Sequence, residues 1–207
     1  MKLIRRRIWI GLARSCLKGN GYSVYSKCGK RGGVLEDRYA VVSDIHCDSK
    51  QAFFGAFDGH GEAGAAEFAA ARLEKNIMKE VVKRGDEMEE AVKEGYLAPD
   101  SGFLNKDICG GTGCVTALVH EGDLVVSNTG DCRAVMSHGG VAEALTTDHR
   151  PSLDEEMKRI ENLGGYVDCC RGVWRVHRSL AVSNQEAVDI VRDVCIGMDQ
   201  AERLPAC

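Results

Sequence analysis

The stretch FFGAFDGHGEAGAAEF, from Phe53 to Phe68, constrains the fold of this chain more than any other. An apolar strand stops at Asp58-Gly59-His60-Gly61, and a helix begins at once. Over residues 62–83, Ala66, Ala69, Leu73, Ile77 and Val81 recur at three- and four-residue spacing, which predicts one apolar stripe. Gly85 suits the helix stop. A strand that runs directly into such a helix must bury both, so the polar tetrapeptide lands at the mouth of a core. Gly59 lets a backbone or ligand approach closely. Taken alone, the tetrapeptide reads as a helix entry with a capping aspartate.

The flanking sequence supplies the sheet. Residues 39–45 (YAVVSDI) and 51–57 (QAFFGAF) read as strands joined by a polar turn around Asp48–Lys50. After the helix, Pro99, Asp100 and Gly102 predict a polar connection. Short strands follow at 113–119, 123–129, 133–137 and 141–145, with turns at Glu121-Gly122, Gly130-Asp131 and Gly139-Gly140. Ser152-Leu-Asp-Glu155 reads as a capping box opening a helix that ends before Gly164-Gly165. A second box, Ser183-Asn-Gln-Glu186, predicts a helix through about Cys195. Strands in runs with segregated helices give an α+β class: antiparallel sheet layers with helices packed outside.

Composition narrows the function classes. With 207 residues, 44% apolar and 28% charged, the chain reads as one soluble globular domain with a sizeable core. No apolar run is long enough for a membrane span. Residues 1–35 carry nine Lys or Arg and no acid; 18 basic and 31 acidic residues remain, a net of −13 over the rest. An acidic body without a basic-aromatic platform argues against nucleic acid as a partner and is compatible with divalent cations. The ten cysteines form no C-x-x-C pair, so they read as reduced thiols in an intracellular protein rather than zinc ligands. The basic stretch MKLIRRRIWIGLARSCLK is compatible with organellar targeting, but serine is scarce and the arginines do not segregate to one helical face. An N-terminal extension over residues 1–20 and a cytoplasmic or nuclear location are the expectation.

Glu36-Asp37 stands at the head of the first predicted strand. If the two strands form a hairpin, these acids share one end with Asp58. Three carboxylates there repel one another unless a cation neutralises them, and oxygen-only ligands favour Mg²⁺ or Mn²⁺. The alternative is a solvated turn with ordinary surface acids.

The segments LEDRY, FGAFDGHG, AAEFAA, GGTGCVTALV, NTGDCRAVMSHGG, TTDHRPSLDEEMKRIENLGGYV, RVHRSLAVS and SNQEAVDI, in that order, resemble the plant metal-dependent serine/threonine protein phosphatases of the 2C family over residues 21–196. Residues 197–207 then form a C-terminal tail. The resemblance implies two packed antiparallel β-sheets flanked by helices, with a two-ion Mg²⁺/Mn²⁺ centre at one end. Asp37 and Asp58 match its metal-binding aspartates, Glu36 the acid acting through bound water, and Gly59 the residue whose carbonyl binds metal. In the family, two ions activate a bridging water that attacks phosphorus directly, and His60 matches the proposed general acid. Arg31 is the candidate phosphate-gripping arginine, although Gly32 and Gly33 lengthen its spacing from the Glu-Asp pair by one residue. Asp131 matches an aspartate linked to a further metal; a plain strand-turn residue is the equal alternative. Asp148-His149-Arg150 reads as a loop organiser.

The same resemblance exposes a gap. Val182-Ser183 runs straight into Asn184, where the family carries RGIGD-like and SDGLWD-like segments, and a later DD-containing strand has no counterpart before Cys207. These pieces carry family metal ligands, so the second ion site and the catalytic activity are expected to be impaired. The expected partners are phosphorylated proteins or protein kinases, with the chain as a monomer. A non-catalytic binder of such proteins and a non-functional truncated product are the competing readings.

Overall fold

The computed structural model describes residues 2–3, 8–11, 22–26, 35–48, 50–85, 87–104, 110–176 and 189–191. The apolar run at Ala52–His60 (β5) is the spine of a large sheet. It pairs antiparallel with Arg38–Ser43 (β4) on one side and Gly111–His120 (β6) on the other; β6 pairs with Asp123–Thr129 (β7). The turn before β5 is a short 3-10 segment, Ile45–Cys47, closed by the Asp48 carboxylate, which accepts the Lys50 N–H at 2.9 Å. Between β6 and β7, Glu121 (φ 52°) and Gly122 (φ 95°) both take positive φ, the geometry of a tight hairpin turn whose twist matches the strands.

A second sheet combines Lys2–Leu3 (β1), Ile8–Gly11 (β2), Ser23–Ser26 (β3), Ala134–His138 (β8) and Val141–Ala144 (β9) in the order β3-β2-β1-β8-β9. Alternation along β5 divides the core between two layers. Phe53 and Phe57 join Leu118 and Val125 beneath the helices, whereas Phe54 and Ala56 join Val115, Val126, Ala134 and Tyr22 between the sheets. A separate hairpin, Val167–Cys170 (β10) with Val173–Val176 (β11), follows the helix Asp154–Asn162 (α3). The architecture is the expected α+β arrangement of antiparallel sheets with helices.

The helix Gly64–Arg84 (α1) buries Ala66, Leu73, Ile77 and Val81 from the expected stripe and ends at Gly85, whose N–H reaches the Val81 carbonyl. Three expectations are corrected. The connection expected at Pro99, Asp100 and Gly102 is helical: Met88–Leu104 (α2) runs through it. Met88, Ala91 and Val92 bury against α1, and this packing overrides the local breakers. Gly95 permits the close crossing, because a Cβ there would lie 2.7 Å from Ile77 Cα and 2.9 Å from its nitrogen. Ser152 does not cap α3: Leu153 is the extended N-cap residue, with no side-chain cap bond, and three acids in the first turn interact with the helix dipole instead. Within the region assigned to a second capped helix, Asp189–Val191 (β12) is a strand on the open edge of β7. Its backbone pairs with the β7 edge, and the residue types Ile190-Val191 favour a strand; Ser183–Glu186 lies outside the described residues.

The α2–sheet contact contains a closed ring of hydroxyls. Tyr96 and Thr116 oxygens are 2.8 Å apart, those of Thr116 and Ser127 2.6 Å, and the Ser127 hydroxyl donates to Tyr96 Oη at 2.9 Å. Each hydroxyl can give one bond and take one, so the three polar groups satisfy one another in a largely buried layer.

Candidate active site

Sheet register assembles the site. Arg38 stands opposite Phe57, so continuing that ladder one step brings Asp37 opposite Asp58. Residues directly opposite share a face, here the one turned toward the second sheet. Asp58 in turn faces Gly113, and His60 faces Gly111. The sequence GGTG therefore leaves β6 without side chains beneath the acid and the imidazole. The imidazole uses that space: a Cβ on Gly111 would come 2.5 Å from His60 Nε2.

Gly59 locks the two acidic segments together. A Cβ on it would lie 2.9 Å from the Glu36 carbonyl carbon, nearer still to the oxygen, and 3.2 Å from Ala66 on α1. Only a bare Cα lets the Glu36 peptide pack there. Arg38 braces the same segment, donating from one Nη to the Leu35 and Asp37 carbonyls at 2.6 and 2.9 Å. Its Nε and other Nη reach the Glu67 carboxylate on α1. Sequence reasoning missed this clamp; an arginine directly after two acids was its available signal.

Asp37 is 5% exposed, whereas Glu36, Asp58 and His60 are half-buried. Gly113 links Asp58 to the next turn, since a Cβ there would lie 3.9 Å from the Asp131 nitrogen. Cys132 lies beside both carboxylates; burial pushes its thiol well up, and the Asp58 and Asp131 charges act in the same direction. Asp131 itself is held by Arg150, whose Nη2 is 3.1 Å from Asp131 Oδ2. The expected organising role of Asp148-His149-Arg150 is visible in bonds: His149 Nδ1 accepts the Gly130 N–H, and Asp148 pairs with both Arg133 and Arg150. Arg31 lies outside the described residues.

Asp37 and Asp58, adjacent at one sheet end, suit a single hard cation. Among the described residues no three His, Cys, Asp or Glu side chains form a group able to hold a metal, at this pair or elsewhere, and Asp131 is engaged by the Arg150 guanidinium.

Comparison with known proteins agrees with the fold. The family model described as "Protein phosphatase 2C" matches residues 33–185. The chain is 50% identical to "Probable protein phosphatase 2C 25" of Arabidopsis thaliana, covering 92% of this chain and 59% of that protein. That alignment runs over 235 residues, against the 207 of this chain. It is 48% identical to "Probable protein phosphatase 2C 2" of the same plant, covering 92% of this chain and 62% of the relative. It thus spans about three fifths of these relatives' length. "Putative protein phosphatase 2C 53", also of Arabidopsis thaliana, is 36% identical and 87% covered, with 84% of this chain matched. Among solved structures, "serine-threonine phosphatase 2C from Toxoplasma gondii" superposes with a TM-score of 0.62 at 23% identity, covering 78% of this chain and 70% of that one. With three quarters of its length matched by the family model and a 36% identical relative covered over 87% of its length, the chain belongs to the protein phosphatase 2C family.

Proposed function

We propose that this chain is a metal-dependent serine/threonine phosphatase whose turnover on phosphoproteins lies far below that of its longer relatives. The observation that carries the reading is the packing of the Glu36 peptide on Gly59, which seats Glu36-Asp37 beside Asp58 at the end of the β4–β5 pair. Asp37 and Asp58 are the residues that would hold Mg²⁺ or Mn²⁺. Such an ion supplies Lewis acidity toward phosphoryl oxygen and a more acidic water. The protein's own part is to hold those acids rigid through the Arg38–Glu67 clamp and to carry a proton donor. His60 is the candidate donor to the departing serine or threonine oxygen. Slow turnover follows from the small donor set among the described residues, because in-line attack needs nucleophile and phosphate fixed together.

The pairing of Asp131 with Arg150 favours a second reading, a non-catalytic binder of phosphoproteins or kinases. Hydrolysis of a phosphothreonine peptide, measured with Mn²⁺, with EDTA and in Asp58→Asn, separates the two. Slow, Mn²⁺-dependent release of phosphate that Asp58→Asn abolishes supports the first. Release that persists in EDTA or in Asp58→Asn overturns it, and peptide binding without release selects the second.

A further inference from the structure

Four charges meet at the 128–150 turn cluster. Arg150 Nη2 stands 3.1 Å from Asp131 Oδ2 and 3.2 Å from Asp148 Oδ2, so one nitrogen bridges two carboxylates. Arg133 approaches the other Asp148 oxygen, with Nε at 3.0 Å and Nη2 at 2.8 Å. The backbone fixes the set in place: the His149 N–H donates to the Gly130 carbonyl at 2.9 Å, and the Asn128 amide donates to the Gly130 and Thr147 carbonyls. Asp148 is 8% exposed and the Asp131 side chain 16%, so both ion pairs are partly desolvated and weakly screened.

We propose that Arg150 is a tethered counter-cation for Asp131, which keeps this carboxylate from serving as a divalent-metal ligand in this chain. A divalent ion at Asp131 would meet an arginine charge at contact distance and would have to displace a directional, charge-assisted bond. Arg150 also has a second station. It can release Asp131 and remain on Asp148, so the obstruction is one bond deep rather than a feature of the whole loop. The choice of ion rests on the phosphatase reading. The titration is read without substrate, so a failure of catalysis and a failure of this inference remain distinguishable.

The test is calorimetric titration of the full chain with Mn²⁺, comparing wild type, Asp131→Asn, Arg150→Gln, Arg150→Lys and the Arg150→Gln/Asp131→Asn double variant. The expected result is that Asp131→Asn titrates like wild type. Arg150→Gln should gain a Mn²⁺ site at least about tenfold tighter than any wild-type binding attributable to Asp131, from loss of one adjacent positive charge. The double variant should lose that site, and Arg150→Lys, which keeps the charge, should not gain it. Weakened Mn²⁺ binding in Asp131→Asn alone overturns the proposal, as does an Arg150→Gln titration identical to wild type. If Arg150→Gln does not fold, Arg150→Met, which also removes the charge, takes its place with the same expected and overturning results.

Discussion

Replacing Gly59 with alanine tests whether the Glu36 peptide is held where the acids need it. The φ of Gly59 is outside the left-handed region, so alanine meets no backbone strain there, and the effect is purely one of contact. The new Cβ would sit 2.9 Å from the Glu36 carbonyl carbon, against an ordinary contact distance of 3.4 Å or more, so that atom must move at least 0.5 Å. The oxygen, closer still, must move about 1 Å. The obstacle is backbone rather than the flexible end of a side chain, and Ala66 closes the other side at 3.2 Å. Overpacking of this kind costs about 1–3 kcal/mol, whereas Gly→Ala returns about 0.4–1 kcal/mol by restricting the unfolded chain. The steric term wins. From the middle of both ranges the net loss is about 1.3 kcal/mol, which lowers the thermal midpoint by roughly 3–5 °C in a domain of this size. Gly95→Ala on α2 is the matched control, because its Cβ would meet Ile77 backbone at 2.7 Å, far from the acids. Both variants should melt earlier in a circular-dichroism melt, but only Gly59→Ala should weaken Mn²⁺ binding in calorimetry. If Gly59→Ala keeps wild-type Mn²⁺ binding, or melts at the wild-type temperature, the argument that this contact positions Glu36-Asp37 is wrong.

Three further outcomes follow from the same geometry. Gly111→Ala should displace the His60 imidazole, whose Nε2 lies 2.5 Å from the added Cβ position; changed His60 ring signals in NMR spectra show it, and unchanged signals refute it. Tyr96→Phe removes one member of the hydroxyl ring and leaves Thr116 and Ser127 each short of a buried partner, so urea unfolding should show a loss of about 1–3 kcal/mol; a loss under about 0.5 kcal/mol would show that the ring contributes little. Burial pushes the Cys114 thiol up from 9.0 to about 12. The unfolded chain therefore releases this proton first as pH rises, and stability present below pH 9 declines through that window by about 1.4 kcal/mol per pH unit. Cys114→Ala should flatten the alkaline slope, and an unchanged slope would assign it to other groups.

Much of the fold was legible because its signals are local. Alternation in 52–57 and 123–129, the α1 stripe and the glycine turns each act within a few residues, so the strands and α1 emerge near their expected ends. The acids at Glu36, Asp37 and Asp58 were legible as a pair of segments at one hairpin end for the same reason. Pro99 and Gly102 misled because their local cost is smaller than the gain from burying Met88, Ala91 and Val92 on α1. The Ile190-Val191 strand misled in the opposite direction, since nothing near Ser183 reports the open β7 edge.

The sequence by itself determined α1, the strands from β4 to β9 but not those in the second sheet's N-terminal part, the family and the acidic residues available for chemistry, because side-chain period and turn chemistry are written in consecutive residues. Only the tertiary structure decided who faces whom. The joining of Lys2–Leu3 to β8, the glycines opposite Asp58 and His60, the Arg38 clamp on α1 and the seizure of Asp131 by Arg150 connect residues from 19 to more than 130 positions apart. Such contacts depend on strand order and register, which follow from burying two apolar faces of one sheet at once. No local pattern carries that condition, and at this sheet end it sets which carboxylates remain accessible to a metal ion.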